Sequence, residues 1–232
     1  MDAAKYYDKI YSFKDYEQEA KEITRIVEES LHSEGRRLLD VACGTGRHIE
    51  YLKDQFEVKG LDISPEMIEI ARVRNPNVKL YQGDMTDFNL GKKFDVITCL
   101  FSAIGYAKTY ELAASAIACM SRHLVPGGLL IVEPWFPPEA WHAGTVHAML
   151  IDEPDLKIAC VNTSFLKWRV SYFDLHHLIG TPDGTTHVVE HHELGLFAIE
   201  EMKRMFADAG LSVTYDPEGI TGRGLYVGEK DS

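Results

Sequence analysis

Residues 38–52 read LLDVACGTGRHIEYL, and this stretch decides the class of fold. Apolar residues lead into an acid, Asp40, then into a turn with two glycines, and the residues after the turn have the apolar spacing of a helix. A strand, a glycine turn and a helix in this order are typical of an open parallel sheet, which binds ligands at the carboxyl ends of its strands. Gly44 and Gly46 let the main chain approach such a ligand closely, and the helix N-terminus favours a negative group there.

The glycine turn could hold a phosphate, a dinucleotide or a sulfonium cofactor. A dinucleotide fingerprint needs a third glycine where this chain has Ile49, and a phosphate-binding loop needs a lysine followed by serine or threonine after the turn. Asp40 would lie awkwardly beside a pyrophosphate, so the sequence favours a ligand with positive charge. S-adenosylmethionine fits, because its carboxylate can meet the helix N-terminus while Asp40 faces its ammonium or sulfonium group.

Acids also end the next two predicted strands. Asp62 ends the stretch KGLDIS, where a carboxylate can accept hydrogen bonds from both ribose hydroxyls of a nucleoside. Asp84 follows the third strand and can accept the adenine amino group, while Met85 packs against the ring. Three acids at the ends of three successive strands predict one nucleoside-binding edge of a sheet.

Strand and helix patterns alternate through Trp135, which predicts an α/β fold with a mostly parallel sheet and helices on both faces. We expect strands over 37–42, 58–64, 78–85, 94–101 and 129–135, and helices over 16–31, 46–56, 64–75 and 110–124. Ser64 is the expected N-cap of the third of these helices, and VPGG after the fourth is an expected turn.

The pattern changes after Trp135. Three stretches show partial two-residue alternation, 156–166, 168–179 and 186–197, and TPDGTT is a strong turn signal between the last two. We interpret 136–197 as an antiparallel β insertion after strand five, forming a substrate pocket and a possible dimer interface. A helix over 199–211 and two last strands follow. They return the chain to the core and bring the main sheet to seven strands. The expected divisions are 1–135, 136–197 and 198–232.

Composition limits the classes of partner. The net charge of −12 over 232 residues repels phosphate backbones and anionic membranes, so we expect no nucleic acid and no membrane partner. The first twenty residues lack an apolar signal-peptide core, and no stretch approaches eighteen apolar residues. The four cysteines are widely spaced without a CxxC pair, which indicates free thiols. We therefore expect a cytoplasmic protein.

With these residues in view, the chain resembles the class I S-adenosylmethionine-dependent methyltransferases. LDVACGTGRH, GLDIS, QGDM, FDVITCLFSAIGY and LVPGGLLIVEPW are similar to their successive motifs. A narrower resemblance, carried by FSAIGYAKT, VEPW and the ending GRGLYVG, is to the N,N-dimethyltransferases of nucleotide-linked amino deoxysugars of the desosamine and mycaminose pathways. It implies a Rossmann-like core, S-adenosyl-L-methionine as cofactor and N-methylation of such a sugar as the reaction.

The resemblance also assigns residues. The cofactor would be held by Tyr16, Asp40, Ala42, Cys43, Gly44, Gly46, Asp62, Ile63, Met67, Asp84, Met85, Leu100 and Phe101. The acceptor would contact Tyr106, Glu133, Trp135, Phe136, His192 and Arg223, with Arg223 on the nucleotide diphosphate. Tyr106 would face the amino group and act as the catalytic residue, either orienting the amine or relaying its proton; an aromatic wall residue without a proton role is the alternative.

Some positions depart from the family pattern. Family members carry Arg-Val-Ser where this chain has Cys160-Val161-Asn162, and Phe136 replaces a tryptophan. The acceptor could therefore be another small amine or a hydroxyl compound. The sequence also leaves open a nicotinamide oxidoreductase and a cofactor-binding module without catalysis. We expect no metal, because adjacent histidines on a strand point to opposite faces and neither HH pair can readily chelate one ion.

Overall fold

The computed structural model describes residues 3–231 and contains two β-sheets. The first sheet consists of β1 (Arg37–Val41), β2 (Glu57–Asp62), β3 (Lys79–Gln82), β4 (Phe94–Cys99), β5 (Leu124–Val132), β10 (Leu211–Asp216) and β11 (Leu225–Lys230). Their order is β10-β11-β5-β4-β1-β2-β3, and β11 alone runs antiparallel to both of its neighbours. The predicted seven-stranded, mostly parallel sheet is therefore confirmed.

Helices cover both faces of this sheet. They are α1 (Tyr7–Ile10), α2 (Tyr16–Ser30), α3 (Arg47–Leu52), α4 (Pro65–Arg74), α5 (Tyr110–Arg122) and α6 (Ile199–Asp208), with short 3-10 turns at Ala3–Tyr6, Ala103–Ala107 and Pro138–Ala140. Successive residues of a strand point to opposite faces, so Leu39 packs in one core with Ile117 of α5, and Leu38 packs in the other with Ile23 of α2. Both cores are fully buried at these positions.

Local contacts explain where the helices next to the glycine turn lie. Ser64 caps α4 as predicted, since its hydroxyl accepts a hydrogen bond from the Met67 amide at 3.2 Å. The close helix–strand contact that a third glycine would permit comes instead from Gly60 on β2. A Cβ on Gly60 would lie 2.8 Å from the Ile49 side chain, so the missing atom lets α3 pack onto the sheet.

The prediction that VPGG forms a separate turn after the helix was wrong. Residues 125–128 lie within β5, which begins at Leu124, and they form an irregularity rather than a separate turn. The pairing with β4 jumps from Phe94–Leu124 to Val96–Leu129, so these residues have no counterpart on the neighbouring strand. The left-handed backbone of Gly127 (φ +71°) accommodates this bulge.

The second sheet is the antiparallel insertion. It consists of β6 (Val146–Glu153), β7 (Leu156–Lys167), β8 (Val170–Thr181) and β9 (Gly184–Gly195), paired in sequence order. The sequence predicted only the last three. β6 is an edge strand with apolar side chains on both faces, Val146 and Leu150 outward and Met149 and Ile151 inward, which removes the two-residue signal.

Several predicted features concern partners and location. No helix within residues 3–231 is long and apolar enough to cross a membrane. All four cysteines are buried and free of disulfides, as expected. The same part of the chain contains no group of three or more histidine, cysteine or acidic side chains placed to hold a metal ion. Residues 1, 2 and 232, which the expected divisions include, lie outside the described residues.

Candidate active site

The glycine turn forms an open cradle at the end of β1. Ala42, Gly44 and Gly46 all have left-handed backbone conformations, with φ values of +57°, +53° and +73°. A Cβ on Gly44 would meet no atom within 4 Å, so this side of the turn is free to receive a ligand, whereas one on Gly46 would lie 2.7 Å from the Asn75 amide nitrogen. Cys43 packs into the core, and burial raises the pKa of its thiol, which argues against a nucleophile.

Asp40 provides a buried negative group beside this cradle. Its Oδ1 atom accepts a hydrogen bond from the Thr98 hydroxyl at 2.8 Å, but Oδ2 is buried without a partner in the described chain. Burial raises the pKa of Asp40 to about 6. A buried carboxylate oxygen without a donor is costly, so the position fits the ammonium or sulfonium group of S-adenosylmethionine.

Asp62, at the end of β2, is held by the main chain. Its Oδ2 atom accepts the Gly44 amide and its Oδ1 atom accepts the Ser64 amide, both at 2.8 Å. Burial raises its pKa although these hydrogen bonds act in the opposite direction. Each oxygen retains a second lone pair, so the carboxylate is fixed in place and can still accept ribose hydroxyls.

An apolar cleft continues from Asp62 past the end of β3. Its lining is Ala42, Leu61, Ile63, Gly83, Asp84, Met85, Thr86, Tyr106, Ala107 and Leu112. The Ile63 side chain is 64% exposed, which leaves an apolar surface that a flat ring can cover. Asp84 binds the Thr86 amide and hydroxyl through Oδ1 at 2.8 and 2.7 Å, which leaves its other oxygen for an amino group. Met67 is half-buried at the start of α4, and its amide is used in the Ser64 cap.

The chain after β4 is strained where it passes the cleft. Phe101 and Ser102 are consecutive non-glycine residues in the left-handed region, with φ values of +50° and +63°, a conformation that concentrates at functional sites. Glu133 holds this turn: its carboxylate accepts the Phe101 amide at 2.6 Å and the Thr221 hydroxyl. The Leu100 side chain packs in the core, so only its main chain can face a cofactor.

The N-terminal segment packs against residues that are predicted to hold the cofactor. The Tyr11 ring packs edge-on against Phe101 at 5.1 Å between centroids, and Lys14 Nζ lies 4.0 Å from the centre of the Phe101 ring. Tyr16 is buried and packs edge-on against His48. Tyr11 and Lys14 were not predicted from the sequence. The only signal for them was the unusual density of aromatic residues before residue 20.

Tyr106 lies where the apolar cleft meets the insertion. It lines the cleft, and its hydroxyl forms a 2.7 Å hydrogen bond with His192 Nδ1 on β9. Desolvation, reinforced by the charges of nearby groups, raises the pKa of Tyr106 above its usual value, so the phenol is protonated at neutral pH. Burial lowers the pKa of His192, whose Nε2 atom is buried without a partner among residues 3–231.

An aromatic wall surrounds Arg223 on the other side of the pocket. The guanidinium carbon lies 5.3 Å from the ring centres of Phe101 and Trp135 and 5.7 Å from that of Phe136. Its one side-chain hydrogen bond in the described structure goes to the Ser102 hydroxyl, at 3.1 Å, and no carboxylate within residues 3–231 pairs with it. The remaining N–H donors are therefore free for an anionic ligand. Trp141 and Phe173 extend this wall and were not predicted.

Known proteins are similar in sequence to this chain over both the core and the insertion. A family described as a methyltransferase domain matches residues 38–128. The chain is 40% identical over 230 residues to the dTDP-3-amino-3,6-dideoxy-alpha-D-glucopyranose N,N-dimethyltransferase of Streptomyces fradiae, covering 97% of this chain and 89% of that relative. It is also 40% identical over 232 residues to the dTDP-3-amino-3,4,6-trideoxy-alpha-D-glucopyranose N,N-dimethyltransferase of Streptomyces venezuelae, covering 98% of each chain.

Solved structures give the same result. DesVI of Streptomyces venezuelae is similar with a TM-score of 0.94 and 38% identity, covering 100% of this chain and 99% of that chain. CalS10 of Micromonospora echinaspora, an amino pentose methyltransferase with bound S-adenosylmethionine, is similar with a TM-score of 0.89 and 37% identity, covering 97% and 96%. The predicted Rossmann-like fold with an antiparallel insertion is confirmed.

Proposed function

Because the chain belongs to the S-adenosylmethionine-dependent methyltransferase family that includes the sugar N,N-dimethyltransferases, we propose that it methylates the amino group of a nucleotide-linked amino deoxysugar. The observation that carries this proposal is the similarity over the whole chain, insertion included, to enzymes named for that reaction. Tyr106, which borders both the cofactor cleft and the insertion, supports a transfer point between the two.

The cofactor is S-adenosylmethionine, which when bound supplies a methyl group already activated on a sulfonium. Asp40 offers its unpartnered carboxylate oxygen to the positively charged end, and the open glycine turn receives the carboxylate. Asp62 accepts the ribose hydroxyls, while Asp84 and Met85 contact the adenine. These assignments are supported by the order of the residues along one cleft.

On the acceptor side the protein mainly aligns the nitrogen and excludes water. An amine must be neutral to attack but needs little further activation. Tyr106, protonated at neutral pH, orients the amine through its hydroxyl, and His192 fixes the direction of that hydroxyl at 2.7 Å. Trp135 and Phe136 form the wall of the sugar pocket, and Glu133 positions the Phe101 turn without an exposed oxygen of its own.

Arg223 is the proposed ligand of the nucleotide diphosphate. Its guanidinium is stacked among aromatic rings and has free donors, and a guanidinium fork matches two phosphate oxygens. The alternative acceptor, another small amine or a hydroxyl compound, is favoured by one observation. Cys160 stands where the resembling sugar enzymes carry an arginine, and it lies against His177 of β8 rather than presenting a cation of its own.

We also propose a homodimer formed through the outer face of the insertion, which is the side of β6–β9 turned away from the core. Large apolar side chains are exposed on it: Leu150, Val161, Phe165, Tyr172 and Leu178. An isologous contact between two copies would cover this patch. The division of the chain into a cofactor core, residues 1–135 and 198–232, and a substrate insertion, 136–197, belongs to the same proposal. A cytoplasmic location is supported by the four unpaired cysteines.

A turnover assay tests the function directly. Purified protein and S-adenosylmethionine are incubated with a panel of nucleotide-linked 3-amino and 4-amino deoxysugars, together with their 3-hydroxy and 4-hydroxy counterparts, and products are measured by mass spectrometry. We expect the mass of one and then two methyl groups on an amino sugar and none on a hydroxy sugar. Turnover only on hydroxyl compounds, or on none of the panel despite cofactor binding, would contradict the proposed acceptor.

A further inference from the structure

The inner face of the insertion sheet carries a carboxylate next to the residues that border the transfer point. Side chains alternate along β9, so Val188, Glu190 and His192 point to the same side, and His192 contacts Tyr106 at 2.7 Å. Val188 packs in the apolar cluster that joins the insertion to α1, which confirms that this side faces inward. Glu190 therefore lies between the N-terminal segment and Tyr106.

Only one of the Glu190 oxygens is used by the protein. Oε2 bonds to His177 Nε2 at 2.8 Å, and no side chain within residues 3–231 bonds to Oε1. The side chain is 28% exposed, so Oε1 is open to a ligand, whereas His177 is completely buried. His177 in turn lies opposite Cys160 in the sheet, and contacts with Cys160 and Glu190 raise the pKa of His177 to about 9.

The charge of Glu190 reaches the acceptor pocket. Desolvation and, next, the Glu190 charge raise the pKa of Tyr11 to about 12, and the same charge acts on Tyr106 and His192. The neighbouring carboxylates have different contacts. Both oxygens of Glu133 are bonded to the protein, and Asp40 and Asp62 lie on the cofactor side of Tyr106.

We propose that Glu190 binds the amino group of the acceptor through Oε1 and stabilises the positive charge that develops on the nitrogen during methyl transfer. The inference rests on the proposed function and adds to it a specificity-determining residue. In the transfer, the nitrogen lone pair forms the new N–C bond while the electron pair of the S–C bond stays on sulfur, and the product ammonium releases its proton to solvent. Positive charge thus moves from sulfur to nitrogen, and a carboxylate fixed on the nitrogen side favours that movement.

The proposal distinguishes amine from hydroxyl acceptors. A carboxylate oxygen without a donor of its own attracts an amine or ammonium, which bring two or three N–H donors, more strongly than a neutral hydroxyl. His177 holds the carboxylate in one orientation and thereby acts as a positioning residue. A purely structural Glu190, serving only as the counter-ion of the buried His177, would affect both kinds of ligand equally.

The test compares Glu190→Gln with the matched control Glu193→Gln. Glu193 is on the same strand but on the outer face, paired with Lys108. For each protein, kcat and KM are measured with the best amino sugar, and dissociation constants are measured for that sugar nucleotide, its hydroxyl counterpart and S-adenosylmethionine. We expect Glu190→Gln to lower kcat/KM by roughly 10- to 100-fold and to remove most of the preference for the amino over the hydroxyl ligand, with cofactor affinity within about twofold.

Glu193→Gln should behave like the unmodified protein, and Glu190→Asp should recover part of the amine preference because it keeps the charge. If Glu190→Gln does not fold, Glu190→Asp takes its place in the test. Its carboxylate is withdrawn by one methylene, so its preference for the amino over the hydroxyl ligand should be lower than that of the unmodified protein. An unchanged preference in the folded variant, or an equal loss for both ligands, would overturn the inference. If the unmodified protein methylates no amino sugar, the proposed function itself fails, which is a different result.

Discussion

Replacing Asp40 by asparagine should make the cofactor-free protein more stable and at the same time weaken cofactor binding. The carboxylate is 2% exposed, and its Oδ2 atom is buried without a partner within the described chain. Since a tenfold change in an equilibrium constant is about 1.4 kcal/mol, burial that raises the pKa of Asp40 from 3.8 to about 6 costs the folded protein about 3 kcal/mol at pH values well above 6. Asparagine has the same shape without this charge.

The sign of the pH dependence follows from the direction of the shift. A carboxyl whose pKa is raised in the folded state favours folding in its neutral form, so this contribution is present at low pH and is lost as the pH rises from about 4 through about 6. We expect Asp40→Asn to raise the free energy of unfolding by about 1–3 kcal/mol at pH 7.5, with a smaller gain at pH 5. Urea unfolding without cofactor measures this difference.

Asp95→Asn is the matched control. Asp95 is equally buried, but Arg37 and Ser33 satisfy both of its oxygens, so the same substitution there should destabilise the protein. Calorimetry should give a dissociation constant for S-adenosylmethionine at least about tenfold higher for Asp40→Asn, because a charge-assisted contact is lost. Lower stability of Asp40→Asn at pH 7.5, or unchanged cofactor affinity, would refute the reasoning.

Four further substitutions test the rest of the site. Asp62→Ala should weaken cofactor binding at least about tenfold by calorimetry, since a charge-assisted contact contributes about 1.5–3 kcal/mol; an unchanged dissociation constant would remove the ribose assignment. Arg223→Ala should raise the KM of the acceptor and leave cofactor affinity alone, and loss of both, or of neither, would count against a diphosphate contact. Tyr106→Phe should lower kcat by about 5- to 10-fold, the effect of one orienting hydrogen bond; a fall beyond about 1,000-fold would indicate an obligatory base, and no fall a simple wall residue. Leu178→Glu on the outer face should convert a dimer to a monomer in light scattering without loss of folding, and an unchanged mass would show that this face is not the interface.

The sequence could predict those parts of the site in which a residue marks the end of its own strand. Asp40, Asp62 and Asp84 each lie at or just beyond the end of a strand, and the parallel order of the strands then brings them to one edge of the sheet. The third-glycine position was informative for the ligand class, although the close packing it normally permits comes from Gly60.

The parts that sequence could not predict depend on pairing between distant strands. Glu190 meets His177 only because β8 and β9 pair in a particular register, and a shift of β9 by one residue would turn Glu190 to the face opposite His177. Tyr11 follows two short helical turns, Ala3–Tyr6 and α1, and the four residues of α1 carry too little periodicity to be recognised. The positions of Tyr11 and α1 are set by tertiary contacts with Phe101 and the insertion.

The segment around α1 contacts both the glycine turn and the insertion. Asp8 accepts the Thr45 hydroxyl of the glycine turn at 2.7 Å, while Lys9 binds Glu153 of β6 and Ile10 packs against Ile158 and Ile179 of the insertion. If two methyl groups are added in succession, spent cofactor must leave between them, and any displacement of this segment that releases it would also break its contacts with the insertion. Such coupling would favour a distributive reaction over a processive one, so that the singly methylated product would escape, accumulate early in the time course and be recaptured later.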